Sequence, residues 1–360
     1  MNIRDVYTSA AIAQVNTEAG SNKIPYLGEG LFPAKKKMGL DLKWIKTSKG
    51  LAVSLAPSTF DAVSTLRSRE GFKMNETEMA FFKESILLKE ADRQEILRVQ
   101  EATDPYAVDV LGRVFNDAET LVDGAMVVPE RMRMQLLTPP TSGAKAGRPQ
   151  ISIQADGVTY AYDYDPTGTY ASNNFVELTA SNDKWSDHAN SDPLGDVQTA
   201  IENVEAATGS KPAYIIVSAL TMKHLKQNAN IKSAILAQNP TANVLMNDAR
   251  VKEIFANELG IQIIVYTKQY KDESGVAHKF FADGYATLIP EGALGNTWFG
   301  TTPEEADLIA KAGIDTSIVN TGVAVTVTTS TDPVQTKTTV SEIVLPSYER
   351  MDETYVIKAY

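Results

Sequence analysis

The chain contains no cysteine. That excludes disulfides, thiolate nucleophiles and cysteine-held zinc or iron–sulfur centres, and it suits a reducing compartment. Histidine is nearly as scarce: His188, His224 and His278 are the only three in 360 residues. The usual general bases and metal ligands are therefore few. Basic side chains are outnumbered, 34 Lys and Arg against 45 Asp and Glu, for a formal net charge of -11. Proteins that grip nucleic acid neutralise phosphates with Lys and Arg, so this balance disfavours specific DNA binding. No apolar run approaches the roughly 20 residues that span a bilayer. The first twenty residues, with Asp5 and no compact apolar block, read as an amphipathic arm and not as a signal peptide. A Walker loop, a G-x-G-x-x-G after a strand, a G-x-S-x-G elbow and an H-E-x-x-H pair are all missing.

What remains is an ordinary folding composition, 43% hydrophobic and 22% charged, enough for one large core or two modest ones. The first ~35 residues are loosely patterned and close on Lys35, Lys36 and Lys37. LDLKWIK and LAVSLAP then flank Ser48, Lys49 and Gly50, a hairpin signature, and a charged return follows through Arg67, Arg69 and Glu70. A two-stranded ribbon of this kind is marginal alone and needs something to pack on. Asp104 and Pro105 open the clearest helix. Val108, Leu111, Phe115, Ala118, Val122 and Ala125 recur on one face, and Met132 and Leu136 resume it past Pro129. The spacing predicts a helix over 105–137 with a single apolar stripe, bent at the proline.

RPQISIQADGVTYAYDY reads as a second hairpin about Asp156 and Gly157. From Asp192 the pattern becomes layered. Asp192–Pro193 opens a helix closed by Gly209, Ser218 and Asn247 each cap another, and AYIIVS is a buried strand. The last 45 residues alternate as long strands.

Candidate chemistry is thin. His224, on a helix, and His278, in a hairpin, read as surface or partly packed residues. His188 lies among Asp183, Asp187, Asp192 and Asp196, but the spacing fits no calcium loop and a solvated acidic loop is the plainer reading. Asp163 and Asp165 share one strand face that is simply wet. No catalytic, cofactor or metal residue is nominated.

The richest stretch runs from Ile261 to Gly295. IQIIVY suits a strand buried on both faces, KQYKDESGVAHKFF a hairpin, ADGY a turn, ATLIP a strand and EGALG a glycine-rich exit. Tyr266, Tyr270, Asp272, Gly275, Phe280, Asp283, Gly284, Leu288, Pro290, Leu294 and Gly295 carry this order. It resembles the major capsid (head) proteins of tailed phages, lambda type. The resemblance implies an α+β fold of the Hong Kong 97 type, and it divides the chain into an N-terminal arm (1–37), an extended β-hairpin loop (38–80), a peripheral domain (81–180 with the spine helix 105–137, and 313–360) and an α/β axial domain (181–312). It implies a non-enzymatic shell subunit of the virion, assembled in the host bacterial cytoplasm. Pentamers and hexamers of the chain would build an icosahedral head enclosing double-stranded DNA without sequence-specific binding, and without a membrane. The acidic balance is compatible with an inner wall that does not hold phosphates. With the arm starting near Met1, the scaffold is expected to be a separate protein, beside a portal and decoration proteins. No cofactor is implied. Contacts between subunits are expected at the loop tip, Lys49 and Gly50, and on its return at Arg67, Arg69 and Glu70. A cellular nanocompartment shell of the same architecture, or an α/β enzyme centred on 192–300, are the alternatives.

Overall fold

The computed structural model describes residues 8–10, 12, 25–45, 74–90, 94, 106–155, 158–238, 246–272, 274–309, 315–331 and 334–360. Chain contacts divide it into two compact units. One comprises Met1–Leu42, Glu76–Met132 and Asn296–Ser347; the other comprises Lys43–Asn75, Arg133–Gly295 and Tyr348–Tyr360.

The first unit is built on one long strand, Val334–Tyr348. Val323–Thr331 pairs with it antiparallel on one side and Ala80–Leu88 antiparallel on the other, so Glu342 faces both Val323 and Phe82. Asp315–Val319 extends the sheet beyond Val323–Thr331, and Ala34–Lys36 joins it through a parallel pairing with Gly295–Phe299. The strand VAVTVTTST explains the layering: valines fall at every second position, on one face. Val323 and Val325, with Val319 and Val340, pack against Leu121 and Val122 of the long helix and against Ile12. The other face is small and polar, with Thr316 and Thr326 hydroxyls 3.0 Å apart. Gly322 is required by close approach, because a Cβ there would meet the Phe299 ring at 2.3 Å.

The long helix runs without a break from Tyr106 to Leu137, with Pro129 inside it, about 48 Å at 1.5 Å per residue. Its expected capping residues, Asp104 and Pro105, lie outside the described residues. The single apolar stripe holds for Leu121, Val122, Ala125 and Met126 but fails at the C-terminal end. There Met132, Arg133, Met134, Leu136 and Leu137 are all buried. Consecutive positions point around the whole helix, so this end is covered on more than one side.

The second unit is a five-stranded sheet ordered Phe175–Glu177, Tyr355–Lys358, Tyr285–Ile289, Tyr214–Val217, Gln262–Val265. The two outer pairings are parallel and the two inner ones antiparallel. Tyr285–Ile289 is buried at every residue. On one face, Pro193–Thr208, Ala219–Gln227 and Asp248–Ile254 bring Val197, Ile201, Val204, Met222, Leu225, Val251 and Phe255 onto Ile215, Val217, Ala286, Leu288 and Ile357. On the other, the Thr287 hydroxyl donates to Leu137 O at 2.7 Å and the Tyr285 hydroxyl to Pro139 O at 2.6 Å.

The helix starts follow their caps. Asp192 accepts from Gly195 N, Ser218 from Thr221 N and Asn247 from Arg250 N, at 3.0–3.2 Å. Gly209 closes the first of these helices at φ 69°, in the left-handed region that glycine enters freely. After Asp248–Ile254 the helix widens into a π turn, Phe255–Leu259, before Gly260.

Two expectations need adjusting. Gln262–Val265 is not buried on both faces: Gln262 is exposed and Ile264 and Val265 are half-buried, because the strand is the outermost in its sheet. Tyr355–Lys358 lies between Phe175–Glu177 and Tyr285–Ile289, whereas the resemblance grouped it, within 313–360, with the peripheral domain.

Candidate assembly surfaces

The stretch from Tyr266 to Gly295 is held by its own side chains. Gln269–Lys271 and Ala277–Lys279 pair as a two-stranded hairpin with Tyr270 opposite His278. Neither strand is buried, so the turn and the aromatic rings carry its order. The Asp272 carboxylate accepts from Ser274 Oγ (2.7 Å), Ser274 N (3.0 Å) and Val276 N (2.9 Å), and it bonds His278 Nε2 at 2.7 Å. The Ser274 and His278 bonds, with the two backbone donors, hold its pKa far below the usual carboxylate range. Gly275, at φ 82°, turns the chain where an L side chain would be strained. At the base of the hairpin the Phe280 ring packs tilted against Tyr270, with centroids 4.8 Å apart, and against Tyr266 at 6.4 Å. Lys279 reaches Asp283 at 2.7 Å, and Gly284 is fixed because a Cβ would meet Tyr360 O at 2.7 Å.

The exit loop is clamped. Arg350 Nη1 donates to the carbonyls of Glu291 (2.8 Å) and Ala293 (3.2 Å), while Nε and Nη2 grip Glu353 at 3.1 and 2.6 Å. Glu353 is 2% exposed, so this is a buried bidentate pair. The hydroxyls of Tyr170 and Tyr348 meet Thr354 Oγ1 beside it, at 3.1 and 2.8 Å. Burial raises both phenols above their ordinary range.

What these braced elements present outward is apolar at a few points. Val276 at the hairpin tip is 54% exposed, and Val158 on the second hairpin 53%. In the first unit Met38 is 80% and Leu40 50% exposed, on either side of Gly39. That turn is tied at its flanks by Lys37 N to Phe299 O (2.8 Å) and Met79 N to Leu40 O (2.9 Å).

The contact residues read from the sequence, Lys49, Gly50, Arg67, Arg69 and Glu70, all lie outside the described residues, as do Asp156 and Gly157 of the second hairpin. The supposed acidic cluster is dispersed into separate tasks. Asp187 accepts from Ala189 N and Asn190 N, Asp192 caps a helix, and Asp196 accepts from Trp185 Nε1 at 2.8 Å. Asp163 pairs with Lys145 at 3.3 Å, while the buried Asp165 accepts from Thr169 N and Ala171 N, so the two carboxylates do not act together. Sequence reasoning missed one meeting: His188 and His224, 36 positions apart, touch through Nε2 and Nδ1 at 2.9 Å. No local pattern signals a contact at that separation. Among the described residues no group of three or more His, Cys, Asp or Glu is placed to hold a metal ion, and no helix is long and apolar enough to cross a membrane.

The fold is of the Hong Kong 97 type found in phage capsid subunits. A phage-related protein from Bordetella bronchiseptica RB50 superposes with TM-score 0.57 over 98% of this chain and 97% of its own, at 14% identity. A protein described as the capsid protein of an Escherichia coli CFT073 prophage gives 0.56 over 98% and 99%, also at 14%. The capsid chain of cyanophage A-1(L) gives 0.50 over 94% of both, at 11%. No curated protein matches the sequence. The family described as Phage major capsid protein E matches residues 8–359, and the chain belongs to it. It is a major capsid protein, a structural component of the virion that self-associates into the head shell.

Proposed function

We propose that the chain assembles as pentamers and hexamers into an icosahedral head around phage double-stranded DNA, in the host bacterial cytoplasm. A separate scaffold protein, a portal and decoration proteins are its partners. The family match along almost the whole chain carries this reading. The net charge of -11 supports a wall that encloses DNA without gripping its phosphates. The role is mechanical. The arm (1–37) and extended loop (38–80) bury against neighbours. Lys49, Gly50, Arg67, Arg69 and Glu70 make loop contacts in several quasi-equivalent settings. Met38 and Leu40, exposed where the loop begins, extend that contact.

The test is negative-stain electron microscopy of the purified chain with and without a candidate scaffold. Closed shells or rings of five and six subunits are expected. A monodisperse monomer under both conditions overturns the proposal. Replacing Arg67 and Arg69 with Glu is expected to lower shell yield; an unchanged yield removes them from the interface.

A further inference from the structure

The helices that cover the sheet of the second unit divide the charge between them. From Trp185 to Ser210 the chain carries Asp187, Asp192, Asp196, Glu202 and Glu205 and neither lysine nor arginine. From Ala219 to Gln238 it carries Lys223, Lys226 and Lys232 and no acidic residue. Pro193–Thr208 is thus an acidic helix, and Ala219–Gln227 and Ala229–Gln238 are basic ones. Ala229–Gln238 lies against both of the others. All three turn apolar side chains to one core, which holds Val204, Leu225 and Ile231. The charge stays outside. Gln198, Glu202 and Glu205, four and three residues apart, make one exposed stripe, and Glu202 accepts from Gln198 Nε2 of its own helix at 2.6 Å. Lys223 and Lys232 are exposed as well. Lys226 is taken by Asp248 at 2.7 Å. Among the described residues no ion pair engages Glu202, Glu205, Lys223 or Lys232, although helices of opposite sign touch.

We propose that the acidic stripe of Pro193–Thr208 in one copy docks on Lys223 and Lys232 of the next, a head-to-tail contact between second units. The contact rests on the ring assembly proposed above and supplies a surface for it. Its occupant is a second copy because the chain carries both halves of a charge match and pairs neither half within itself. In a ring of five or six, each copy gives its acidic stripe to one neighbour and its lysines to the other, a heterologous interface that closes on itself. Exposed ion pairs add little affinity. Their part is to steer subunits together and to decide which faces meet, since like charges set against each other are rejected.

The experiment compares the full-length chain with two double variants, Glu202→Lys with Glu205→Lys and Lys223→Glu with Lys232→Glu. All four positions are exposed, and thermal unfolding checks that each variant is folded. Electron microscopy and sedimentation velocity read assembly at about 0.1 M salt, where charges act over about 10 Å. Each double variant alone should assemble at least about tenfold more slowly than the unmodified chain. Mixed in equal amounts they should recover by alternating around the ring. A ring of five cannot alternate two kinds of chain, so six-membered rings should return and five-membered ones should not. A variant carrying all four reversals should assemble alone. Either double variant assembling like the unmodified chain, a mixture that fails to associate, or five-membered rings in the mixture overturns the proposal. The two readings fail separately. If the unmodified chain forms no rings while the mixed variants sediment together, the shell reading falls and the contact stands. If rings form and charge reversal leaves them unchanged, the contact falls and the shell reading stands.

Discussion

The two units solve burial by different means. The first gathers strands from three distant segments around Val334–Tyr348 and covers an alternating Val/Thr face with one helix and Ile12. Its order depends on register, since a one-residue slip would exchange the valine and threonine faces. The second stacks several short helices on its sheet and fills the gap with Trp185, Phe255, Leu225 and Met222. Its order depends on shape, because large side chains in a dense core leave voids when cut back. A register-dependent layer tolerates trimming better than a shape-dependent one, and this difference can be measured.

The largest effect is expected at the clamp of the second unit. Arg350→Ala removes the ion pair that holds the buried Glu353 carboxylate, and breaking such a pair costs about 3–5 kcal/mol; denaturant unfolding measures it. An Arg350→Met, Glu353→Leu double variant should recover most of the loss, since no charge is then left alone. A double variant as unstable as the single would show that the carbonyl bonds to Glu291 and Ala293 dominate instead.

Next comes the direct contrast between cores. Leu225→Ala should cost about 2–5 kcal/mol, and Val325→Ala, which removes two methyl groups from the valine face, about 1–3 kcal/mol. Equal losses would erase the proposed distinction.

The smallest effect is expected at Tyr285. Tyr285→Phe removes one buried hydrogen bond, worth about 0.5–1.5 kcal/mol. Burial pushes this phenol up to about 12. The unfolded chain ionises first, near pH 10, so this residue's contribution holds below that value and is lost between about pH 10 and 12. The variant should therefore lose stability less steeply over that alkaline window, although Tyr164, Tyr170 and Tyr348, also raised, keep part of the slope. An unchanged slope would mean that Tyr285 ionises freely in the folded state.

Much of the local structure was legible because its causes are local. Asp192, Ser218 and Asn247 cap helices through bonds that span three residues, and Gly275 marks a turn that needs positive φ. Valines at every second position told strand from helix. What escaped was decided across distance. Alternation shows that Tyr355–Lys358 is a strand, but not that its neighbours are Tyr285–Ile289 and Phe175–Glu177. The helix stripe foretold Leu121 and Val122, but the covering of Met132 through Leu137 depends on chain far from it in sequence. The histidine pair is the sharpest case, since two unremarkable residues 36 positions apart become hydrogen-bonded only when loop and helix meet.

Val334–Tyr348 and Tyr355–Lys358 bear on how the molecule is made. One lies between Ala80–Leu88 and Val323–Thr331, the other inside the sheet of the second unit. The first sheet cannot close until translation has passed Tyr348, nor the second until it has passed Lys358, so strand edges stay open until then. Such non-local closure is slow and exposed to aggregation. A polypeptide interrupted before Val334 lacks the inner strands of both sheets, and with them the framework on which the faces of each unit are built.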